Sequence, residues 1–145
     1  MNTIALDAMG SDLAPRPEIE GALQASREYG VKVLLVGQPP VVKAELGRHA
    51  RRGANVEIVP ASDVIAMRDA PMQAFRKKKD SSIHVAARLV RDGQAQAMVT
   101  AGNTGAAMAV SRFVLGTLPS VDRLALAAPF PTARHLSAVF LSCST

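Results

Sequence analysis

Two aspartates, Asp7 and Asp12, flank a glycine-containing bend, Ala8-Met-Gly-Ser-Asp12, where a short aliphatic run stops. Carboxylates placed there can orient a donor, bind a cation or move a proton. In the competing reading Asp7 merely closes a strand and Asp12 caps the helix that follows. A second candidate is the turn Ala101-Gly-Asn-Thr-Gly105, which leads from another aliphatic run into a small-residue segment. If a helix begins there, its N-terminal N–H groups, aided by Asn103 and Thr104, can hold a phosphate between Gly102 and Gly105. The plainer reading is a strand-to-helix turn capped by Thr104. The turn has neither the Lys-Ser/Thr of a Walker A loop nor a G-x-G-x-x-G spacing, so a nucleotide cofactor has no support. The third candidate is the basic run Arg76-Lys-Lys-Lys79, directly before Asp80-Ser-Ser82. Four consecutive residues on a helix point in different directions. One or two of these cations can therefore meet a substrate phosphate, while the others face solvent or steer an acidic partner.

Other chemistries find little footing. His49, His84 and His135 lie on separate elements without a second ligand at metal spacing, and each reads as structural or exposed. Cys143 is the single cysteine, so an internal disulfide and a cysteine zinc site drop out. No serine sits in a G-x-S-x-G elbow, which argues against a covalent hydrolase. The six methionines form no helical stripe and read as core filling.

The elements that must position these residues alternate. Thr3 to Leu6, Val31 to Val36, Val56 to Val59 and Ala97 to Thr100 have the aliphatic character and length of buried strands. Between the first two, Ile19, Ala22, Leu23 and Ser26 repeat at helical spacing, with Pro17 and Glu18 suited to a first turn and Gly30 to a stop. Val41 to Ala50 reads as a second helix, with Arg48, Arg51 and Arg52 near its end. Residues 60–71 read as a long connection or a poorly patterned helix. The clearest helix starts at Ser81 or Ser82 and repeats Ile83, Ala86, Ala87 and Val90 before Gly93. Ala106 to Leu115 reads as a small-residue helix, and Leu124 to Ala127 and Ser137 to Leu141 as two further strands. This alternation predicts an α/β fold: a mainly parallel sheet with helices on both faces, a Rossmann-like three-layer sandwich. Ligands in such folds sit at the carboxyl ends of strands, so the loops that matter are Asp7 to Ala14, Gly37 to Pro40, Ala61 to Asp69 and Ala101 to Gly105.

Composition narrows the partners. The 145 residues are 48% hydrophobic, 20% charged and 3% aromatic, which excludes a disordered polyampholyte and implies an aliphatic core. The net charge of +5 points to an acidic partner, but one Tyr, four Phe and no Trp offer few stacking platforms, so nucleic acid is disfavoured. No apolar run approaches the ~18 residues of a membrane span, and the first residues lack a signal-peptide pattern, which predicts a cytoplasmic protein.

Four stretches carry a more specific signal. Leu6-Asp-Ala-Met-Gly-Ser-Asp12, Arg76-Lys-Lys-Lys-Asp-Ser-Ser82, Thr100-Ala-Gly-Asn-Thr-Gly-Ala106 and Leu124-Ala-Leu-Ala-Ala-Pro-Phe-Pro-Thr132 resemble, in order and spacing, the phosphate acyltransferase of bacterial phospholipid synthesis. Ser11 and Leu13 stand where that family usually has Gly and His. The resemblance implies transfer of a fatty acyl group from acyl carrier protein to inorganic phosphate, with no cofactor and no metal. It implies catalytic roles for Asp7, Asp12 and Asn103. Gly10, Gly102, Thr104 and Gly105 would bind phosphate, and Lys77, Lys78, Lys79, Ser81 and Ser82 would meet phosphate or the carrier protein. It further implies a homodimer that works with a glycerol-phosphate acyltransferase at the inner membrane surface. The alternatives are an inactive fragment or a non-catalytic module that binds carrier protein or an anion. The likeness runs to Thr132. The family continues for more than this length again, and 133–145 lacks its Leu-Asp-x-Gly-Ala-Asn stretch. The expectation is therefore an acyltransferase portion over 1–132, apparently truncated, with a divergent tail over 133–145.

Overall fold

The structure, a computed structural model, describes residues 1–131 and 137–143. They fall into two compact units, Met1–Leu115 and Gly116–Thr145. In the first, strands β1 (Thr3–Asp7), β2 (Lys32–Gly37), β3 (Val56–Pro60) and β4 (Ala97–Val99) form one parallel sheet in the order β3-β2-β1-β4. Helices α1 (Arg16–Tyr29), α2 (Pro39–Leu46), α3 (Pro71–Lys77), α4 (Ser82–Arg91) and α5 (Thr104–Val110) complete the unit, and α5 runs on into a π-helical turn, Ser111–Leu115.

Alternation along the strands assigns the two faces. Ile4 and Leu6 stand beside Val33 and Leu35, and on that side Ile19, Ala22 and Leu23 of α1 and Val42 and Leu46 of α2 pack on the sheet. Ala5, Leu34 and Val36 face the other way, against Val85, Ala86 and Leu89 of α4. A third cluster of Ile65, Ala74, Ile83, Ala87, Ala106 and Val110 ties α3, α4 and α5 together. The expected α/β sandwich with helices on both faces is present.

Local differences have local causes. Helix α1 begins with a proline in its first turn and ends at Gly30 in the left-handed region (φ 63°), as its pattern required. Asp12 does not cap it: the capping position is Pro15, with no side-chain cap, and Asp12 is exposed. Helix α2 starts earlier than its apolar pattern, because Pro39 and Pro40 suit a first helical turn, and it ends at Leu46 rather than running on to Ala50. Helix α5 is capped by Asn103, whose Oδ1 accepts from the Ala106 N–H, and not by Thr104. Helix α4 begins after Ser81 and gives way at Arg91, with Gly93 at φ 72°. In the second unit β5 (Ala125–Pro131) and β6 (Ser137–Cys143) pair antiparallel in a sheet of their own. The five residues 132–136 between them are too few for the crossover a parallel pair needs. The tail expected from 133 onward lies partly outside the described residues.

Candidate active site at the ends of β1 and β4

From β1 the chain steps outward to β2 and β3, then returns to place β4 on the other side of β1. The carboxyl ends of β1 and β4 therefore flank the point where the winding reverses, the usual ligand position in an open α/β sheet. The Asp7 bend and the Gly102 turn leave the sheet side by side there, because Leu6 is in register with Val99.

One chain of hydrogen bonds joins the two loops. The buried carboxylate of Asp7 accepts from Thr100 Oγ1 at 2.8 Å through Oδ2 and from the Met9 N–H at 3.1 Å through Oδ1. Thr100 Oγ1 in turn accepts from the Gly102 N–H at 3.0 Å. A carboxylate held this way orients the loops. The backbones touch where both residues are glycine. A Cβ on Gly10 would lie 2.7 Å from Asp7 Oδ2 and 3.0 Å from the Gly102 nitrogen, and a Cβ on Gly102 would lie 3.0 Å from Gly10 Cα. Any side chain at either position would drive the loops apart.

Asn103 braces the turn from the other side. Besides capping α5, it donates through Nδ2 to the carbonyls of Met67 (3.1 Å) and Asp69 (2.9 Å). This leaves the N–H groups of Thr104 and Gly105, at the first positions of α5, without an intrahelical acceptor. Gly105 also fits closely, since a Cβ there would come 2.6 Å from Pro71 Cγ. Thr104 is exposed at the mouth of the turn.

The basic run divides. Lys78 donates to Asp69 Oδ2 at 2.5 Å and to the Val64 carbonyl at 2.7 Å, so it pins the same loop that Asn103 holds. Lys78 and then the Ala66 N–H keep the Asp69 carboxyl below its usual range. Lys79 lies 3.8 Å over the Phe75 ring, a cation–π contact, and Lys77 is exposed. Ser81 and Ser82 are buried at the start of α4. Ser81 Oγ and His84 Nδ1 share a hydrogen bond at 2.8 Å, and Phe75 stacks on the His84 ring with centroids 5.1 Å apart. Burial, with Lys79 and Arg88 adding to it, pushes His84 down from its usual 6.5 to about 4. His49 is paired with Glu45, at 3.1 Å, and His135 lies outside the described residues.

The structure thus brings Asp7, Gly10, Gly102, Asn103, Thr104 and Gly105 together, with Lys78 one contact away through Asp69. Asp12 stands exposed on the loop after Gly10. Two residues in this assembly escape a reading of the sequence alone. Thr100 had a usable signal, since it ends a strand next to the one Asp7 ends. Asp69 ends the 61–69 loop, which the sequence places after a strand, but its pairing with Lys78 is set by the fold. Among the described residues no group of three or more His, Cys, Asp or Glu stands close enough to hold a metal ion, and no helix is long and apolar enough to cross a membrane.

The chain is 59% identical over 140 residues to a phosphate acyltransferase of Koribacter versatilis (strain Ellin345), spanning 96% of this chain and 39% of that one. It is 52% identical over 129 residues to a phosphate acyltransferase of Geobacter sp. (strain M21), spanning 89% and 37%. The chain therefore spans about two fifths of the length of the curated relatives it matches. Among solved structures, a phosphotransacetylase from Streptococcus pyogenes superposes with a TM-score of 0.67 at 14% identity, over 95% of this chain and 45% of that one, and so shares the fold. The family model described as fatty acid synthesis protein matches residues 2–144, and with relatives of this identity along almost its whole length the chain belongs to that family, whose matched members bear the name phosphate acyltransferase.

Proposed function

We propose that this chain forms the phosphate-binding part of an enzyme that transfers a fatty acyl group from acyl carrier protein to inorganic phosphate, giving acyl phosphate for phospholipid synthesis. One observation carries the reading: two glycine loops, clamped by the Asp7–Thr100–Gly102 hydrogen bonds, meet at the winding reversal beside the open first-turn N–H groups of Thr104 and Gly105. The names of the relatives supply the reaction class.

The chemistry asks for two anion sites. A phosphate oxygen attacks the thioester carbonyl, the C–O bond forms, the C–S bond breaks, and the thiolate leaves and takes up a proton. Phosphate must be held in line with the carbonyl, and alignment of this kind is worth up to about 7–11 kcal/mol of the barrier. The carbonyl oxygen becomes an anion on the way, and losing one donor to such an oxygen costs about 2.7–4 kcal/mol. Asp7 orients the loops by accepting from Thr100 and Met9. The exposed Lys77 and Lys79 and the net charge of +5 favour encounter with an acidic carrier protein.

The test removes the donors of one position. Thr104 is the first residue of α5 and Asn103 before it is extended (φ −60°, ψ 109°), so proline fits at position 104 and deletes the N–H together with the hydroxyl, while Thr104→Val deletes the hydroxyl alone. Thr104→Pro is expected to weaken phosphate binding, measured by calorimetry, about tenfold or more, as the loss of one hydrogen bond to a charged group predicts. Unchanged phosphate affinity in a folded Thr104→Pro variant would reject the site.

A further inference from the structure

The helical layer beside α1 is incomplete. Register places Val99 of β4 next to Leu6, on the α1 side of the sheet, and Ala97 next to Ile4. Helix α1 packs over β1 and β2 and α2 over β2 and β3, but nothing in this unit packs over β4 on that side. Val99 is 50% exposed. The result is an open groove of about 580 Å³ between α1 and the edge of the sheet, walled by Ile4, Leu6, Val33, Val99, Gly21 and Ala25.

At the end of this apolar groove nearest the glycine loops sit two polar groups without partners. Glu18, 7% exposed, lines the groove, and neither of its carboxylate oxygens has a hydrogen bond; the buried Ser11 hydroxyl has none either. A buried carboxylate without donors is destabilising by several kcal/mol, so the occupant that belongs here brings donors to Glu18. An alkyl chain would fill the apolar wall and leave the carboxylate orphaned. A helix satisfies both needs, and parallel sheets are covered on both faces by helices.

We propose that this groove is the seat of a helix from the part of the polypeptide that the longer relatives possess and this chain does not span, an apolar helix bearing a Lys, Arg or other N–H donor that pairs with Glu18. More than half of each relative's length remains to supply it, and the same fold in the phosphotransacetylase sits within a chain more than twice as long as the shared part. The helix closes one wall of the glycine-loop site, because Ser11 and Ala101 belong to both the groove and those loops.

The groove can be probed with one thiol. A Cβ at Gly21 meets nothing within 4 Å, so Gly21→Cys, in a Cys143→Ser background, reports access to the groove, and Lys43→Cys on the exposed face of α2 serves as control. Maleimide labelling rates are compared for this chain alone and for this chain joined in one polypeptide to the remaining part of the Koribacter versatilis relative. Both thiols should react alike in the chain alone. Joining should slow Gly21→Cys tenfold or more and leave Lys43→Cys unchanged, and Glu18→Gln should restore part of the lost reactivity. As a second measurement the two parts are co-expressed as separate chains: the remainder should co-purify with this chain and be lost with Glu18→Lys. Equal labelling of Gly21→Cys in the two forms, together with absence of co-purification, would overturn the proposal. So would protection in the chain alone that grows with its concentration, meaning a second copy, or that appears only with added palmitate, meaning an alkyl chain. Thr104→Pro should leave every one of these readings unchanged, so the outcome is separate from that of the phosphate site.

Discussion

Replacing Thr100 by Val removes, at nearly constant volume, the hydroxyl that donates to Asp7 and accepts from Gly102. The buried Asp7 oxygen then loses its donor, a change that costs about 1–3 kcal/mol. Thr100→Val should therefore lower the urea midpoint and also weaken phosphate binding, whereas Thr100→Ser should restore both. His84 gives a second residue-scale prediction. Its neutral form is favoured in the folded protein by burial first and then by Lys79 and Arg88, which lowers its pKa from 6.5 to about 4. As pH falls through 6.5 the unfolded chain takes up a proton that the folded chain refuses, so stability is full above about 6.5 and is lost progressively down to about 4. The loss over that window is on the order of 3 kcal/mol. Asp69 and Asp80 have depressed pKa values and start from ordinary ones near 3.8, so their contributions vanish mainly below that window. Urea unfolding at pH 7 and pH 5 checks this, and His84→Phe should flatten the difference while keeping the ring stacked on Phe75.

At the scale of elements, the start of α5 is where positioning and stability meet. Asn103 Oδ1 caps the helix and Nδ2 holds the 66–69 loop, so its two ends do different work. Asn103→Ala should cost about 0.5–2 kcal/mol from the cap alone. Asn103→Asp keeps the acceptor for the Ala106 N–H and loses the donor to the Met67 and Asp69 carbonyls. It should preserve most of the thermal stability and release the loop, seen as faster amide exchange at Ala66, whose N–H bonds Asp69. If both variants lost the same stability and exchanged alike, the separate roles of Oδ1 and Nδ2 would be refuted. Lys78 belongs to this arrangement too: of the three lysines it is the one tied into the 64–69 loop, while Lys77 and Lys79 remain on the surface for a partner.

For the whole molecule, the decisive fact is the open edge of β4. An open sheet edge exposes unpaired backbone groups, and Leu13, Leu118 and Phe113 add exposed apolar area outside the α1 groove. This chain alone should associate as its concentration rises, by light scattering, and should form acyl phosphate at a rate on the order of a hundredfold or more below a complete relative, since small displacements of a reacting group already cost that much. A monomeric chain with a rate comparable to a complete relative would contradict this.

Much of this was legible in the chain itself. The order of strands and helices apart from α3, the ends of α1, the parallel α/β layering and the two loops carrying Asp7 and Gly102 follow from local periodicity and turn chemistry, because a strand or helix reports its buried face through residues only two to four positions apart. The family, too, was readable in four short stretches. Tertiary structure decided the rest. Asp7 and Thr100 are 93 positions apart, and Asn103 reaches carbonyls 34 to 37 positions back. Those pairs depend on the return of the chain to the far side of β1, as does the split of the lysines into one that anchors a loop and two that face solvent. Ser81 and Ser82, polar and close to cations in sequence, turn inward because α4 lays its first turn on α3 and the sheet. Side-chain chemistry is encoded locally, but a partner is chosen by which elements the sheet order brings side by side.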